Sequence, residues 1–185
     1  MAVTSQQIAP GMTLSVEGKL YRVDSSVKVT LAKGQPFIKV KLRALDTDKP
    51  IEKNFKLNQE VEVVSLEERQ LEFLYLEGGA YLFLDGNLDP VLVPADIVAE
   101  KAEFLKEGIG LQATFYGPTV FSLDLPQFLE LMVSKTDPAE DGAALGHATK
   151  QAILETGAAI NVPTFIEVGD VIKVDTRSKE YVQRV

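Results

Sequence analysis

The side chains that most often perform covalent chemistry are scarce in this chain. Its 185 residues include one histidine, His147, and no cysteine. Disulfides, thiolate catalysis, cysteine-ligated zinc and iron–sulfur clusters are therefore excluded. A multi-histidine metal site is excluded by the same count. An imidazole base needs a nucleophile beside it. Asp141 is near His147 in sequence, but no Gly-x-Ser-x-Gly elbow exists, and Ser122 and Ser134 fall inside strand patterns. The 27 acidic residues supply carboxylate pairs without singling one out. No glycine-rich phosphate cradle opens a helix. The pattern predicts a protein that is not an enzyme and carries no metal or cofactor.

One short segment stands apart. Thr30-Leu31-Ala32-Lys33-Gly34-Gln35 lies between two strand patterns. Gly34 permits a tight turn, which would present Lys33 at the tip of the loop. A loop-tip lysine is a long, thin cationic arm suited to a polyanionic crevice. Taken alone, it is also what an ordinary solvated hairpin looks like.

The charge around that loop differs from the rest. The chain carries a net −8, distributed as +3 over residues 1–64, −8 over 65–127 and −3 over 128–185. An acidic chain of this kind is not a basic wrapper of nucleic acid, yet its basic head could meet an anion. Residues 1–16 contain no Lys or Arg and no long apolar run, so they do not read as a secretory leader. No uncharged stretch exceeds 16 residues, and 108–123, with Gly, Gln, Thr and Pro inside it, is too short and polar for a membrane span. The expectation is a cytoplasmic monomer with no membrane partner.

The elements that must position these residues are mostly strands. Phe37-Ile38-Lys39-Val40-Lys41-Leu42 alternates apolar with polar, as does 51–57, and Glu17-Gly18 offers a hairpin turn. Several short strands in the head suggest an SH3-like barrel. Leu71 to Leu76 meets Ala80 to Asp85 across Gly78-Gly79, a strong hairpin signal. Its aromatics Phe73, Tyr75, Tyr81 and Phe83 fit either a barrel core or a base-stacking platform. One helix is expected from Pro94 to about Lys106, burying Ile97, Phe104 and Leu105. Strands at 111–115 and 119–123 complete a five-stranded OB-type barrel. Beyond Pro126, strands are expected at 128–133, 160–166 and 171–174, with 137–150 an exposed loop and Thr176 to Lys179 a turn. The prediction is an all-β chain of three small barrels: an SH3-like (KOW-type) domain over 1–64 and OB-fold domains over 65–127 and 128–185.

Lys150-Gln151-Ala152, Gly157, Ile160, Val162-Pro163, Ile166 and Gly169 resemble the signature run of the bacterial elongation factor P family. The stretches from Asp170 to Arg177 and from Glu180 to Val185 resemble that family's C-terminal end. In the head, Lys33-Gly34-Gln35 with Phe37 and Lys41-Leu42 resembles its modified-lysine loop, and Glu52-Lys53-Asn54-Phe55 the stretch that follows. Two places depart from the family pattern. Leu31-Ala32-Lys33-Gly34 stands where Pro-Gly-Lys-Gly is usual, and Gly142-Ala143-Ala144 where Gly-Asp-Thr is usual. These departures suggest a divergent paralogue.

The resemblance implies three β-barrels in an L-shaped, tRNA-like arrangement, and binding to ribosomal RNA beside the peptidyl-tRNA. It implies rescue of ribosomes stalled on consecutive prolines, with Lys33 reaching toward the tRNA CCA end, often after extension by a lysine-modifying enzyme. Leu31, Ala32, Gly34 and Gln35 would support that loop. Tyr181 and Arg184 would contact RNA. Gly142, Ala143, Ala144 and His147 would form the codon-side loop. The alternative from another class is a regulatory RNA- or ribosome-binding module that kept the fold without polyproline rescue.

Overall fold

A computed structural model describes residues 1–138 and 148–185. The chain divides into two compact units, Met1–Glu67 and Glu68–Val185. The strand pairs of the first unit and of the sheet over residues 128–184 are all antiparallel. Among the described residues no helix is long and apolar enough to cross a membrane.

The first unit is a six-stranded sheet of β1 (Ala2–Thr4), β2 (Thr13–Val16), β3 (Lys19–Val29), β4 (Phe37–Ala44), β5 (Pro50–Lys56) and β6 (Glu60–Val64). Their spatial order is β1-β6-β2-β3-β4-β5. The period-2 pattern of β4 sends Ile38, Val40, Leu42 and Ala44 inward, leaving Lys39 and Lys41 exposed. Leu14, Val23, Phe55 and Val61 close the same core. Glu17 and Gly18, at φ 54° and 80°, form the two-residue turn that the right-handed strand twist favours. Ser5, the buried polar residue here, donates its hydroxyl to the Lys56 carbonyl at 2.7 Å, so its burial leaves no unmet donor.

The second unit holds two five-stranded sheets with the same connectivity. The first comprises β7 (Glu67–Glu77), β8 (Ala80–Asp85), β9 (Pro90–Pro94), β10 (Gly110–Tyr116) and β11 (Thr119–Asp124), ordered β11-β10-β7-β8-β9. The second comprises β12 (Phe128–Thr136), β13 (Thr149–Leu154), β14 (Ala159–Pro163), β15 (Val171–Asp175) and β16 (Glu180–Arg184), ordered β14-β13-β12-β15-β16. Both match the OB-type expectation. Gly78 and Gly79, both at positive φ, make the β7–β8 turn.

Three local expectations are corrected. The single helix from Pro94 to Lys106 is broken: α1 covers only Ala95–Val98, and a 3-10 segment follows over Ala99–Phe104. The break falls at Ala99, at φ 47° and ψ −128°. It separates Val98, which packs in the core of the β7–β11 sheet, from Phe104, which packs in the core of the β12–β16 sheet. Second, the strand expected over 160–166 ends at Pro163, which has no N–H to continue a ladder. Ile166 is still fully buried, held by a turn in which its N–H donates to the Pro163 carbonyl. Third, the loop expected through Lys150 ends earlier, because Thr149 already pairs with Pro163 in β13.

The two sheets of the second unit are joined by buried and charged contacts. Phe104 is 1% exposed, and Leu125 packs against both cores. Burying a phenylalanine contributes about 1.5–3 kcal/mol. Lys106 Nζ lies 3.0 Å from Glu155 Oε1, and Lys179 Nζ lies 2.6 Å from Glu103 Oε1.

Candidate functional site

The Lys33 loop is the connection between β3 and β4. The last paired rung is Val29 with Phe37, so residues 30–36 are free of the ladder. Residues 30–35 are all exposed. Gly34 has φ +117°, a value that side-chain-bearing residues rarely adopt. A Cβ there would meet only Leu31 Cδ1 at 3.7 Å, so conformation and not space selects glycine. Leu31 is 49% exposed, with its Cδ1 facing Gly34. Lys33 makes no hydrogen bond or ion pair with any described residue.

Three other cations of this unit are engaged. Lys39 pairs with Glu52 at 2.8 Å, Lys53 with Glu17 at 2.9 Å, and Arg43 with Asp24 at 3.1 Å. Lys39 holds the Glu52 carboxyl below the usual carboxylate range by hydrogen bonding to it, and Lys53 does the same to Glu17. The loop-tip ammonium has no neutralising partner among the described residues, on a unit of net positive charge. Such a group can donate to a carbonyl or phosphate oxygen, or take a covalent extension at Nζ.

The aromatics of the β7–β8 hairpin are mostly structural. Phe73 and Phe83 are buried with ring centroids 5.3 Å apart, and Tyr81 packs on the same core. A bulge after Phe73 shifts the register, and Tyr75 is left 53% exposed.

In β16 the two residues expected at an RNA contact have different surroundings. Tyr181 is half-buried and packs against the third core. Arg184 is exposed, with its guanidinium 5.7 Å from the Phe165 ring centroid and Nη1 3.9 Å from Asp170 Oδ2. Val174 pairs with Tyr181 but Lys173 with Gln183, so Val182 is bulged. The bulge restores phase, and Tyr181 and Arg184, three apart, share the face that looks toward Val174 and Ile172. Phe165, 59% exposed, is hidden in the sequence because it lies inside an apolar run that reads as strand; Pro163 two residues earlier is the available signal.

Gly142, Ala143, Ala144 and His147 lie outside the described residues. Among the described residues no three or more Asp, Glu or His side chains gather as metal ligands.

Three family models match this chain in succession: the elongation factor P KOW-like domain over residues 4–61, the elongation factor P OB domain over 66–123, and the elongation factor P C-terminal domain over 129–184. A protein of Protochlamydia amoebophila called elongation factor P 1 is 62% identical over 183 residues, covering 98% of this chain and 99% of that one. The elongation factor P 1 of Chlamydia pneumoniae is 50% identical over 184 residues, with 99% and 100% covered. Elongation factor P of Natranaerobius thermophilus is 39% identical, with 99% and 98% covered. Among solved structures, a translation initiation factor eIF-5A family protein from Naegleria fowleri superimposes with a TM-score of 0.53 at 11% identity, over 68% of this chain and 98% of that one, a likeness of fold.

Proposed function

From the premise that this chain belongs to the elongation factor P family of translation factors, we propose that it binds the ribosome beside the peptidyl-tRNA and promotes peptide-bond formation where consecutive prolines stall it. The observation that carries this reading is Lys33, exposed and unpaired at the tip of a seven-residue loop on the basic unit. Proline reacts through a ring-constrained nitrogen and restricts the chain that bears it. A factor that holds the peptidyl-tRNA in a reactive geometry lowers the barrier by prior ordering, an effect that reaches several kcal/mol in well-oriented systems. Lys33 reaches toward the CCA end, bare or extended at Nζ by a lysine-modifying enzyme. Gly34 sets the turn, while Leu31, Ala32 and Gln35 flank it. The protein contributes position and charge, with no proton transfer of its own. It works as a cytoplasmic monomer whose partners are ribosomal RNA and peptidyl-tRNA.

The test is cell-free translation of a triproline reporter. Added protein shortens the stall, and Lys33→Ala abolishes the effect. No change in stalling at saturating protein, with Lys33 bare or extended, would remove the proposal. Intact-mass measurement of protein from its native host reports whether Lys33 is extended.

A further inference from the structure

Phe165 is the most exposed phenylalanine among the described residues. Phe55, Phe73, Phe83, Phe104 and Phe115 are buried, and Phe128 is 44% exposed against 59% for Phe165. A ring left in water forgoes the stabilisation that burial brings, so its surroundings are informative. Its neighbour Ile166 is fully buried and fixes the turn from below. The turn is hydrogen-bonded throughout: Ile166 N–H to the Pro163 carbonyl, Gly169 N–H to the Val133 carbonyl, and Glu167 N–H to Asp170 Oδ2 at 2.9 Å. The ring is therefore held out on a fixed support, which spares the ordering cost of binding.

Over one face of the ring lies the Arg184 guanidinium, 5.7 Å from the centroid, which leaves the opposite face for a base. Its ionic partner is weak. Asp170 Oδ2 already accepts from Glu167 N–H and lies 3.9 Å from the guanidinium, beyond hydrogen-bond length. The guanidinium keeps donors for another group. Asp170 offsets part of its charge, so charge alone would hold an anion poorly here. A flat ring with a donor fork over one face suits a nucleotide, whose base stacks on the other face and whose phosphate accepts.

We propose that Phe165 and Arg184 form a nucleotide clamp, in which an unpaired RNA base stacks on the Phe165 ring while Arg184 binds the adjoining phosphate. Tyr181, half-buried beneath, positions the strand and does not stack. The clamp rests on the ribosome-binding reading above and adds to it which side chain takes the base.

The chain has no tryptophan, so Phe165→Trp introduces a single fluorophore at the clamp. Added to ribosomes carrying a peptidyl-tRNA, this variant shows quenched emission as the indole stacks; unchanged emission on demonstrated binding overturns the clamp. Ribosome affinity provides the second arm. Phe165→Leu keeps an apolar side chain without a π face, and binding weakens about 5- to 150-fold, the range for loss of one stacked base, while Phe165→Tyr binds as wild type. Phe165→Leu binding at wild-type strength overturns the proposal in favour of an apolar protein contact or none. Arg184→Ala lowers the slope of log affinity against log salt by about one phosphate's worth, and Phe165→Leu leaves that slope unchanged. Wild-type protein that fails to bind ribosomes overturns the parent reading and the clamp with it; wild-type binding with indifferent Phe165 variants overturns the clamp alone. Unfolding midpoints of the variants close to wild type confirm that the effects are local.

Discussion

Lys106 and Glu155 bind one sheet of the second unit to the other, with Nζ 3.0 Å from Oε1. The same carboxylate oxygen accepts the Met132 N–H at 2.9 Å. The Met132 hydrogen bond, and then Lys106, hold the Glu155 carboxyl below its ordinary value of 4.5. A carboxyl depressed in the folded state stabilises the fold above its unfolded value and loses that contribution as pH falls through the folded value. The link is part-exposed, so its worth is under about 1 kcal/mol. Glu155→Gln accordingly flattens the acid limb of the stability curve below about pH 4.5 and leaves stability near pH 7 within about 1 kcal/mol of wild type. Urea unfolding at a series of pH values checks this; an unaltered acid limb would show that Glu155 plays no such part.

Phe104 ends the segment between β9 and β10 and fills the core of the β12–β16 sheet. Phe104→Ala should cost about 3–5 kcal/mol. Because that ring joins the two cores, unfolding of the unit should separate into two steps, resolved by chemical denaturation followed with two probes. A single transition with a small midpoint shift would mean that the ion pairs suffice to couple the sheets.

Lys33→Ala should change stability by less than about 0.5 kcal/mol, the usual range for an exposed loop residue, while removing triproline rescue. Gly34→Ala should be worse for stability than Lys33→Ala, because φ +117° is strained for alanine. It should also reduce rescue by redirecting Lys33. Thermal unfolding and the reporter assay, run on the same preparations, separate the two effects. Full rescue with Lys33→Ala would end the loop-tip mechanism.

Tyr181→Ala and Arg184→Ala should part company. Tyr181 packs on the third core, so its truncation should lower the unfolding midpoint. Arg184 is more than half exposed, so its loss should leave the midpoint within about 0.5 kcal/mol equivalent and weaken ribosome binding. Equal midpoints for the two variants would contradict the packing assigned to Tyr181.

Local signals with a single physical reading were legible in the sequence. Gly78-Gly79 between alternating runs requires a hairpin, Gly34 requires a left-handed turn, and the alternation from Ile38 to Leu42 requires one buried face. What stayed hidden depends on partners distant in the chain. Periodicity marked Ile97, Phe104 and Leu105 as buried, which they partly or wholly are, yet it reports that a side chain is buried and not in which core. The break at Ala99 lies between Val98 and Phe104, which pack in different cores. Phe165 was missed for a related reason: an apolar residue in an apolar run reads as strand, and only the turn after Pro163 turns it outward. Tyr181 and Arg184 sit three apart, a spacing that puts two residues on opposite faces of a regular strand, and only the bulge at Val182 reunites them.

The length of the connection that carries Lys33 sets a stand-off. Four chain steps separate Lys33 from Val29 and four from Phe37, the last paired rung. At about 3.3–3.6 Å per residue, its backbone lies no farther than ~14 Å from that rung. Whatever its ammonium touches must approach the edge of the sheet to within that span and one side chain more. Discrimination among targets then depends on how deeply the receiving groups are recessed, and a covalent extension of Nζ enlarges the accessible depth without altering the fold that supports it.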